Sequence, residues 1–187
     1  NMVLLAPVLG WYEETDVVSV APERLDIPLQ LASDALCAAT GEAEFGAGNH
    51  YDDFRLLKLG TTVSLAVVRD GHPLGSDTEL GRHVSNASVD DVEFHEFGSA
   101  GSLVRLAREA AETDEDSRLY RLGGHDLSRL DDSLVFEAAR RDDAAALAAV
   151  ERYADHIARG AKPLVVSLSP EAVVIAGSVA RAGELLR

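Results

Sequence analysis

The turn at Gly177 and Ser178 is the part of this 187-residue chain whose residue types best suit chemistry. It follows the run Ala172–Ala176, which is apolar without polar alternation and therefore predicts a strand covered on both faces. A helix is predicted from Val179 onward. A strand, a small-residue turn and a helix N-terminus bring backbone N–H groups to a point where they can bind an anion or a nucleotide. Since many α/β domains contain such turns, the pattern indicates a kind of site and not an activity.

Asp34 is the second residue that could take part in chemistry. The apolar stretch 27–31 predicts a strand, and Ser33-Asp34 then opens an Ala-rich helix that runs to about Ala43. A carboxylate at a helix N-cap accepts hydrogen bonds from backbone N–H groups and interacts favourably with the positive end of the helix dipole. Capping is therefore one sufficient explanation for this aspartate.

The elements around these residues predict an α/β lobe with antiparallel strands, then helices, then a terminal β-α unit. Residues 56–69 read as a strand interrupted at 60–62, and Asp70-Gly71 is a hairpin turn that returns the chain at His72. A third strand is predicted at about 89–94. The predicted helices lie at about 102–112, 133–141 and 143–167, the last of them kinked or broken near Pro163.

Composition narrows the class of partner. The chain has 17 basic and 32 acidic residues, a net charge of −15, which argues against nucleic-acid binding by this segment. Its single cysteine, Cys37, excludes an internal disulfide and a multi-cysteine zinc site, and we expect it to pack in the core of its helix. No apolar run approaches the roughly 18 residues of a membrane helix, so we expect no membrane contact and a cytoplasmic location.

Four segments, in the same order, resemble motifs of the ROK family (repressors, open reading frames and sugar kinases). The stretch around Pro170 to Gly183 resembles "nPevvvlGGGv-aG", and the stretch from Ser33 to Glu42 resembles "NDANaAAlgE". Residues 7–11 are similar to "PNLxW", and residues 57–64 with the following Asp70-Gly71 are similar to "ltlGTGiGggii-dG". The resemblance covers nearly the whole chain.

The resemblance implies an actin-like ATPase fold of the ribonuclease H-like, sugar-kinase type. On this interpretation residues 1–187 form the second, C-terminal lobe, without the N-terminal lobe that carries the phosphate loop "DxGgT" and without the final helices. In the repressor branch of the family, a winged helix-turn-helix would precede that first lobe.

The resemblance also implies roles for particular residues. Asp34 matches the catalytic aspartate, the base that takes a proton from a sugar hydroxyl if the protein is a kinase. Ligand contacts would come from Trp11, Asp34, Glu79 and His83, although the residue type of Trp11 favours a buried anchor at a lobe edge over a sugar contact. The nucleotide-binding positions would be Gly60, Thr61, Thr62, Gly177 and Ser178.

Several motif positions depart from the family pattern. Val8, Ser33 and Leu36 stand where the family has asparagine, and Thr62 and Ser178 stand where it has glycine. Because only glycine lacks the Cβ atom that obstructs close backbone approach, we expect Thr62 to restrict access of a phosphate group. Together these changes argue against a working kinase.

The family's zinc motif, "CGCGnrGCLE", corresponds to residues 94–104, where no cysteine remains and Val104 takes the place of the sugar-binding glutamate. The histidine of "GEiGH" corresponds to Arg82 or, displaced by one position, to His83. His83, His95 and Glu96 are only a partial ligand set, and structural zinc needs four ligands. We therefore predict that the zinc site is lost and that the chain binds no metal.

Three functions follow from these observations. The first is the ligand-sensing lobe of a dimeric ROK transcriptional regulator, which responds to a sugar or sugar derivative and contacts DNA only through an N-terminal domain. The second is a sugar kinase that uses ATP and Mg²⁺ and whose ATP-binding first lobe lies outside this chain. The third is a pseudo-kinase module that recognises a protein partner.

Overall fold

The computed structural model describes residues 2–3, 13–16, 32–74, 88–89, 92–112, 114 and 116–186. Contacts divide the chain into two units, Asn1–Asp34 and Ala35–Arg187. The first unit contains an antiparallel pair in which Met2 lies opposite Asp16. The second unit contains the main sheet and the helices described below.

The strands are β1 (Met2–Val3), β2 (Thr15–Asp16), β3 (Phe54–Leu59), β4 (Val63–Arg69), β5 (His72–Pro73), β6 (Ser88–Val89), β7 (Val92–Glu93) and β8 (Ala172–Ala176). The helices are α1 (Asp34–Phe45), α2 (Phe94–Gly98), α3 (Ala100–Ala111), α4 (Arg118–Leu122), α5 (Asp132–Ala139) and α6 (Ala144–Leu168). Three 3₁₀ segments, Ala47–His50, Leu127–Arg129 and Ser178–Leu186, complete the described elements.

The main sheet has the strand order β5-β4-β3-β8. β3, β4 and β5 are antiparallel, whereas β8 runs parallel to β3 with Ile175 opposite Leu57. The predicted hairpin at Asp70-Gly71 is confirmed, since both residues have positive φ angles, 52° and 73°. Such angles suit the tight turns whose twist matches that of the paired strands.

Hydrophobic clusters cover both faces of this sheet. On one face, Ala39 of α1 packs with Phe54 and Leu56 of β3 and with neighbouring apolar residues of β4 and β8. On the other face, Leu57 and Leu59 join a larger cluster that includes residues of α2 to α6. This alternation along β3 follows from the period of two in a strand and explains why apolar residues on both of its faces are buried.

Three predicted features differ in the structure. The stretch predicted as a third strand at 89–94 gives only the two-residue β7, which pairs with β6, and Phe94 already begins α2. Pro163 lies inside α6 and does not break it, because losing one N–H donor does not end a helix that packs along much of its length. The C-terminal segment after β8 is a 3₁₀ helix with a kink at Gly183 and not an α-helix.

Cys37 is also placed differently from the prediction, because it is exposed on α1. The buried residues of that helix are Ala35 and Ala39, each two positions from the cysteine, so Cys37 lies off the face that packs. No helix in the described part of the chain is long and apolar enough to cross a membrane.

Candidate functional site

Two turns leave the same edge of the main sheet. β3 leads into the 60–62 loop, β8 leads into the 177–178 turn, and the two strands are parallel with Lys58 opposite Ala176. A Cβ atom placed on Gly60 would lie 4.0 Å from the Oγ atom of Ser178. The structure therefore brings together residues that the sequence assigned to one nucleotide site, at the carboxyl ends of parallel strands where ligands of α/β proteins bind.

Gly177 occupies a position that only glycine can fill. Its φ angle is 92°, in the region that L-residues with a side chain rarely adopt. A Cβ atom there would lie 2.2 Å from the carbonyl oxygen of Leu59 and 2.8 Å from its carbonyl carbon. The close approach of β8 to the end of β3 thus requires this glycine whether or not a ligand binds.

The 60–62 loop makes a tight turn of its own, in which the N–H of Gly60 donates to the carbonyl oxygen of Thr62 at 3.1 Å. Both Thr61 and Thr62 are exposed. The non-glycine residues with positive φ in the described part of the chain are Asp70, His125, Asp142 and Ser169. Thr62 is therefore accommodated without a left-handed backbone, at the position where the family motif has glycine.

A cavity of about 390 Å³ opens beside Thr61. Its other walls come from one side of α3 and from residues just before and within α5: Ala100, Gly101, Val104, Arg108, Leu130, Asp131 and Asp132. Arg108 donates from Nε to the carbonyl oxygen of Leu127 and from Nη2 to that of Ser128, both at 2.8 Å. Asp131 caps α5 by accepting from the N–H of Leu134 at 2.8 Å. These polar groups hold the walls of the cavity in place.

α3 is joined directly to the 60–62 loop. The N–H of Ala100 donates to the carbonyl oxygen of Gly60 at 2.8 Å. Ser99 caps α3 by accepting from the N–H of Ser102 at 3.3 Å. Because the first N–H groups of a helix have no partner within it, the loop carbonyl satisfies one donor that would otherwise be unpaired.

Segment 94–104, which corresponds to the zinc motif, is largely hydrophobic in the structure. Phe94 and Phe97 are buried, and Val104, at the position of the sugar-binding glutamate, is only 9% exposed within the same core. His95 and Glu96 are exposed on α2. No group of three metal-binding side chains occurs in the described part of the chain. The predicted loss of zinc stays a prediction, because part of the implied ligand set lies outside the described residues.

Asp34 is exposed and is the first residue of α1, the position at which a carboxylate favours a helix. Trp11, Glu79 and His83 lie outside the described residues. The roles assigned to all four therefore stay predictions.

Two polar side chains near α2, one buried and one half-buried, were not identified from the sequence. Tyr153 is completely buried and donates from its hydroxyl to the carbonyl oxygen of Gly98 at 2.7 Å. Burial, with a smaller contribution from the charge of Asp132, raises the pKa of Tyr153 well above its usual value. Burial lowers the pKa of His156, against an opposing effect of Asp155. The sequence did hold one indication of this packing. Tyr153, His156 and Gly160 are spaced three and four residues apart, which places them on one face of α6.

This sheet, with helices on both faces and two turns at one edge, is a lobe of the actin-like ATPase fold. The ROK family model matches residues 1–187, and the chain belongs to the ROK family. Both the predicted family and the predicted fold class are thereby confirmed.

Relatives of both functional branches are similar to this chain. A glucokinase of Thermotoga maritima is 31% identical over 166 residues, which cover 83% of this chain and 52% of the relative. A xylose repressor of Caldicellulosiruptor bescii is 24% identical over 193 residues, which cover 98% of this chain and 48% of the relative. The chain thus spans only about half the length of these two curated relatives.

Solved structures show the same two branches. A ROK family glucokinase from Streptomyces griseus, in complex with glucose and AMPPNP, matches with a TM-score of 0.88 and 25% identity over 99% of this chain and 63% of that one. A ROK family transcriptional regulator, a homologue of the E. coli Mlc protein, matches with a TM-score of 0.76 and 18% identity over 99% of this chain and 48% of that one. The second likeness concerns the fold alone.

Proposed function

We propose that this chain is the ligand-sensing lobe of a ROK transcriptional regulator that responds to a sugar or sugar derivative and lacks kinase activity. The observation that carries the proposal is the hydrophobic packing of segment 94–104. Where the family motif supplies a glutamate for sugar hydroxyls, Val104 is buried in the core. A valine cannot accept a hydrogen bond, so a hydroxyl held there would lose the partner it has in water.

The 60–62 loop supports the same proposal. A kinase must hold the γ-phosphate and the attacking hydroxyl in line, which requires close contact between backbone N–H groups and phosphate oxygens. Thr62 and Ser178 each add a side chain at a position where the family motif has glycine. A sensor needs only a difference in ligand affinity between two states, and it tolerates the loss of in-line geometry.

The remaining features of the proposal concern partners. With a net charge of −15, this lobe is a poor surface for DNA, so DNA would be bound by a separate N-terminal domain of a homodimer. Sugar binding would then alter the geometry of the two DNA-binding domains. The xylose repressor among the relatives supports a sugar as the effector class.

The test uses the full-length protein. ATP-dependent phosphorylation of glucose, fructose and N-acetylhexosamines is measured in a coupled assay, with an active ROK glucokinase as the positive control. We expect no turnover, together with a sugar-dependent change in retention of the protein on DNA from its own promoter region. Turnover above that of a sample without enzyme, or DNA binding that no sugar alters, would contradict the proposal.

A sugar kinase is the second candidate, and a specific observation favours it. The 60–62 loop and the 177–178 turn lie together at one sheet edge, in a chain that matches a glucokinase solved with glucose and AMPPNP at a TM-score of 0.88. In that case Asp34 would be the base, with ATP and Mg²⁺ bound between this lobe and the first. The variant Asp34→Asn in the full-length protein would then lower kcat by about a hundredfold or more while leaving the thermal midpoint nearly unchanged.

A further inference from the structure

We propose that an aromatic clamp, formed by Phe94, Phe97, Tyr153 and His156, takes the place of the zinc-binding segment that the family resemblance implies and positions the 60–62 loop. Phe94 and Phe97 belong to α2, and Tyr153 and His156 belong to α6. The aromatic clamp would position the 60–62 loop whether the protein is a regulator or a kinase. The inference therefore does not depend on the proposed function and goes beyond it.

Within the aromatic clamp, the ring of Phe97 contacts the rings of both Phe94 and His156. The centroids of Phe94 and Phe97 are 5.2 Å apart with an interplanar angle of 44°. The rings of Phe97 and His156 meet edge to face, with centroids 5.7 Å apart and an interplanar angle of 76°. Both distances lie in the range where aromatic pairs attract beyond simple area burial. The rings thus join α2 to α6.

Two glycines make room for the ring of Phe94, which has no exposed surface. A Cβ atom on Gly98 would lie 2.6 Å from that ring, and one on Gly160 would lie 2.1 Å from it. The ring is therefore seated against the backbone of its own helix and against the backbone of α6. Such a fit fixes the separation of the two helices to within a few tenths of an ångström.

A short path of hydrogen bonds leads from the aromatic clamp to the loop. The hydroxyl of Tyr153 donates to the carbonyl oxygen of Gly98 at 2.7 Å. Two residues further on, the N–H of Ala100 donates to the carbonyl oxygen of Gly60 at 2.8 Å. Because Gly98 and Ala100 are separated only by the helix cap Ser99, the position of Tyr153 sets the position of the loop. Tyr153 is thus a positioning residue.

The residues present do not fit a zinc ion. Tetrahedral zinc needs four nitrogen, sulfur or oxygen ligands about 2.0 to 2.3 Å from the metal. In segment 94–104 the only side chains of that kind with nitrogen or carboxylate donors are His95 and Glu96, and both are exposed. The ring of His156 packs on Phe97, and its Nδ1 atom is buried. Ring packing is therefore found in the segment that the family resemblance aligns with the zinc motif.

The first experiment tests positioning, through amide hydrogen exchange on the full-length protein with Tyr153→Phe. The variant removes the hydroxyl and keeps the ring. We expect exchange at the Ala100 amide to accelerate about tenfold while the Leu57 amide, in the centre of β3, exchanges as before. The matched control is Tyr51→Phe, which removes a partly exposed hydroxyl and should change neither amide. Equal acceleration at both amides, or no change at Ala100, would overturn the positioning role.

The second experiment tests independence from metal. Zinc content is measured by elemental analysis, and the thermal midpoint is measured before and after treatment with EDTA. We expect substoichiometric zinc and an unchanged midpoint. Stoichiometric zinc whose removal lowers the midpoint would refute the replacement of metal by the aromatic clamp.

A pair of glycine variants completes the test. Gly160→Ala should lower the thermal midpoint by about 5 °C or more, because its Cβ atom would meet the ring of Phe94. Gly41→Ala, also in a helix but with no atom within 4 Å of the added Cβ, should leave the midpoint equal or higher. Similar midpoints for the two variants would show that the ring is not seated as described.

Discussion

The two turns at 60–62 and 177–178 and the segment 94–104 both match ligand-binding motifs of the ROK family, and they have diverged from those motifs in different ways. In the turns, Gly60 and Gly177 are present while neighbouring glycine positions hold Thr62 and Ser178. In the segment, every cysteine and the glutamate of the motif are absent, and Phe94 and Phe97 are buried in the core.

The difference shows which residues the fold itself requires. Gly177 is fixed by the approach of β8 to Leu59, so its presence says little about nucleotide binding. Segment 94–104 instead packs Phe94, Phe97 and Val104 into the core and contains none of the motif's cysteines. Function is thus better judged from positions that packing leaves open, such as Thr62, than from Gly177.

Gly177→Ala should have the largest effect, because it sets a side chain against the backbone of β3 at a positive φ angle. We expect the free energy of unfolding to fall by about 4 kcal/mol, which urea denaturation would measure. Gly60→Ala is the matched control in the same corner. The nearest atom to its added Cβ would be 4.0 Å away, and its cost should stay below about 1 kcal/mol. Equal losses in the free energy of unfolding for the two variants would show that the fold does not require Gly177 more than it requires Gly60.

Phe94→Leu tests the second region. Leucine keeps an apolar side chain but leaves space between Gly98 and Gly160, so we expect a loss of about 2 kcal/mol in the free energy of unfolding. Phe45→Leu is the matched control, because Phe45 is 88% exposed, and its effect should stay within about 0.5 kcal/mol. If Phe94→Leu cost no more than the control, segment 94–104 would not depend on ring packing.

The pH dependence of stability offers a second test of ring packing on segment 94–104. Burial lowers the pKa of His156, and Arg152, Arg159 and Arg105 act in the same direction while Asp155 opposes them. Below the ordinary histidine pKa of about 6.5, the unfolded chain binds a proton that the folded chain resists. The stability due to the neutral ring is therefore present above that pH and is lost as the pH falls.

We expect the thermal midpoint to fall between about pH 7.5 and pH 5.5, and to fall less in His156→Phe, which keeps a ring against Phe97. His50→Gln, at an exposed histidine, should keep the dependence of the unmodified protein. An identical pH dependence in His156→Phe would mean that the ring contact contributes nothing to acid sensitivity.

Features with a local cause could be predicted from the sequence. The hairpin at Asp70-Gly71 depends on two adjacent residues that tolerate positive φ, and the strand Ala172–Ala176 depends on a continuous apolar run. These two features need no information about distant residues. The grouping of the 60–62 loop with the 177–178 turn, in contrast, came from the family resemblance.

Features set by distant contacts were missed. In α1, alanines occur on several faces, so the sequence could not show that Cys37 lies outside the packed face. The stretch 89–94 was predicted as a strand, but the ring of Phe94 fits between Gly98 and Gly160 and Phe94 begins a helix. The hydroxyl of Tyr153 donates to the carbonyl oxygen of Gly98, which is 55 residues away in the sequence. No local sequence pattern predicts a hydrogen bond over that separation.

Thr62→Gly should have the smallest effect and bears most directly on function. The variant restores the family pattern Gly-Thr-Gly, and since Thr62 is exposed, the free energy of unfolding should change by less than about 1 kcal/mol. Calorimetry with Mg-ATP on the full-length protein should show no gain in affinity over Thr61→Gly, a control with a similar entropic cost at a position where the family has threonine. In both variants Ser178 still stands at the second position where the family motif has glycine, so removing the Thr62 side chain alone does not reopen the phosphate site. A tenfold gain in ATP affinity for Thr62→Gly alone would show that a single side chain closes the nucleotide site, and the kinase interpretation would then be the stronger one.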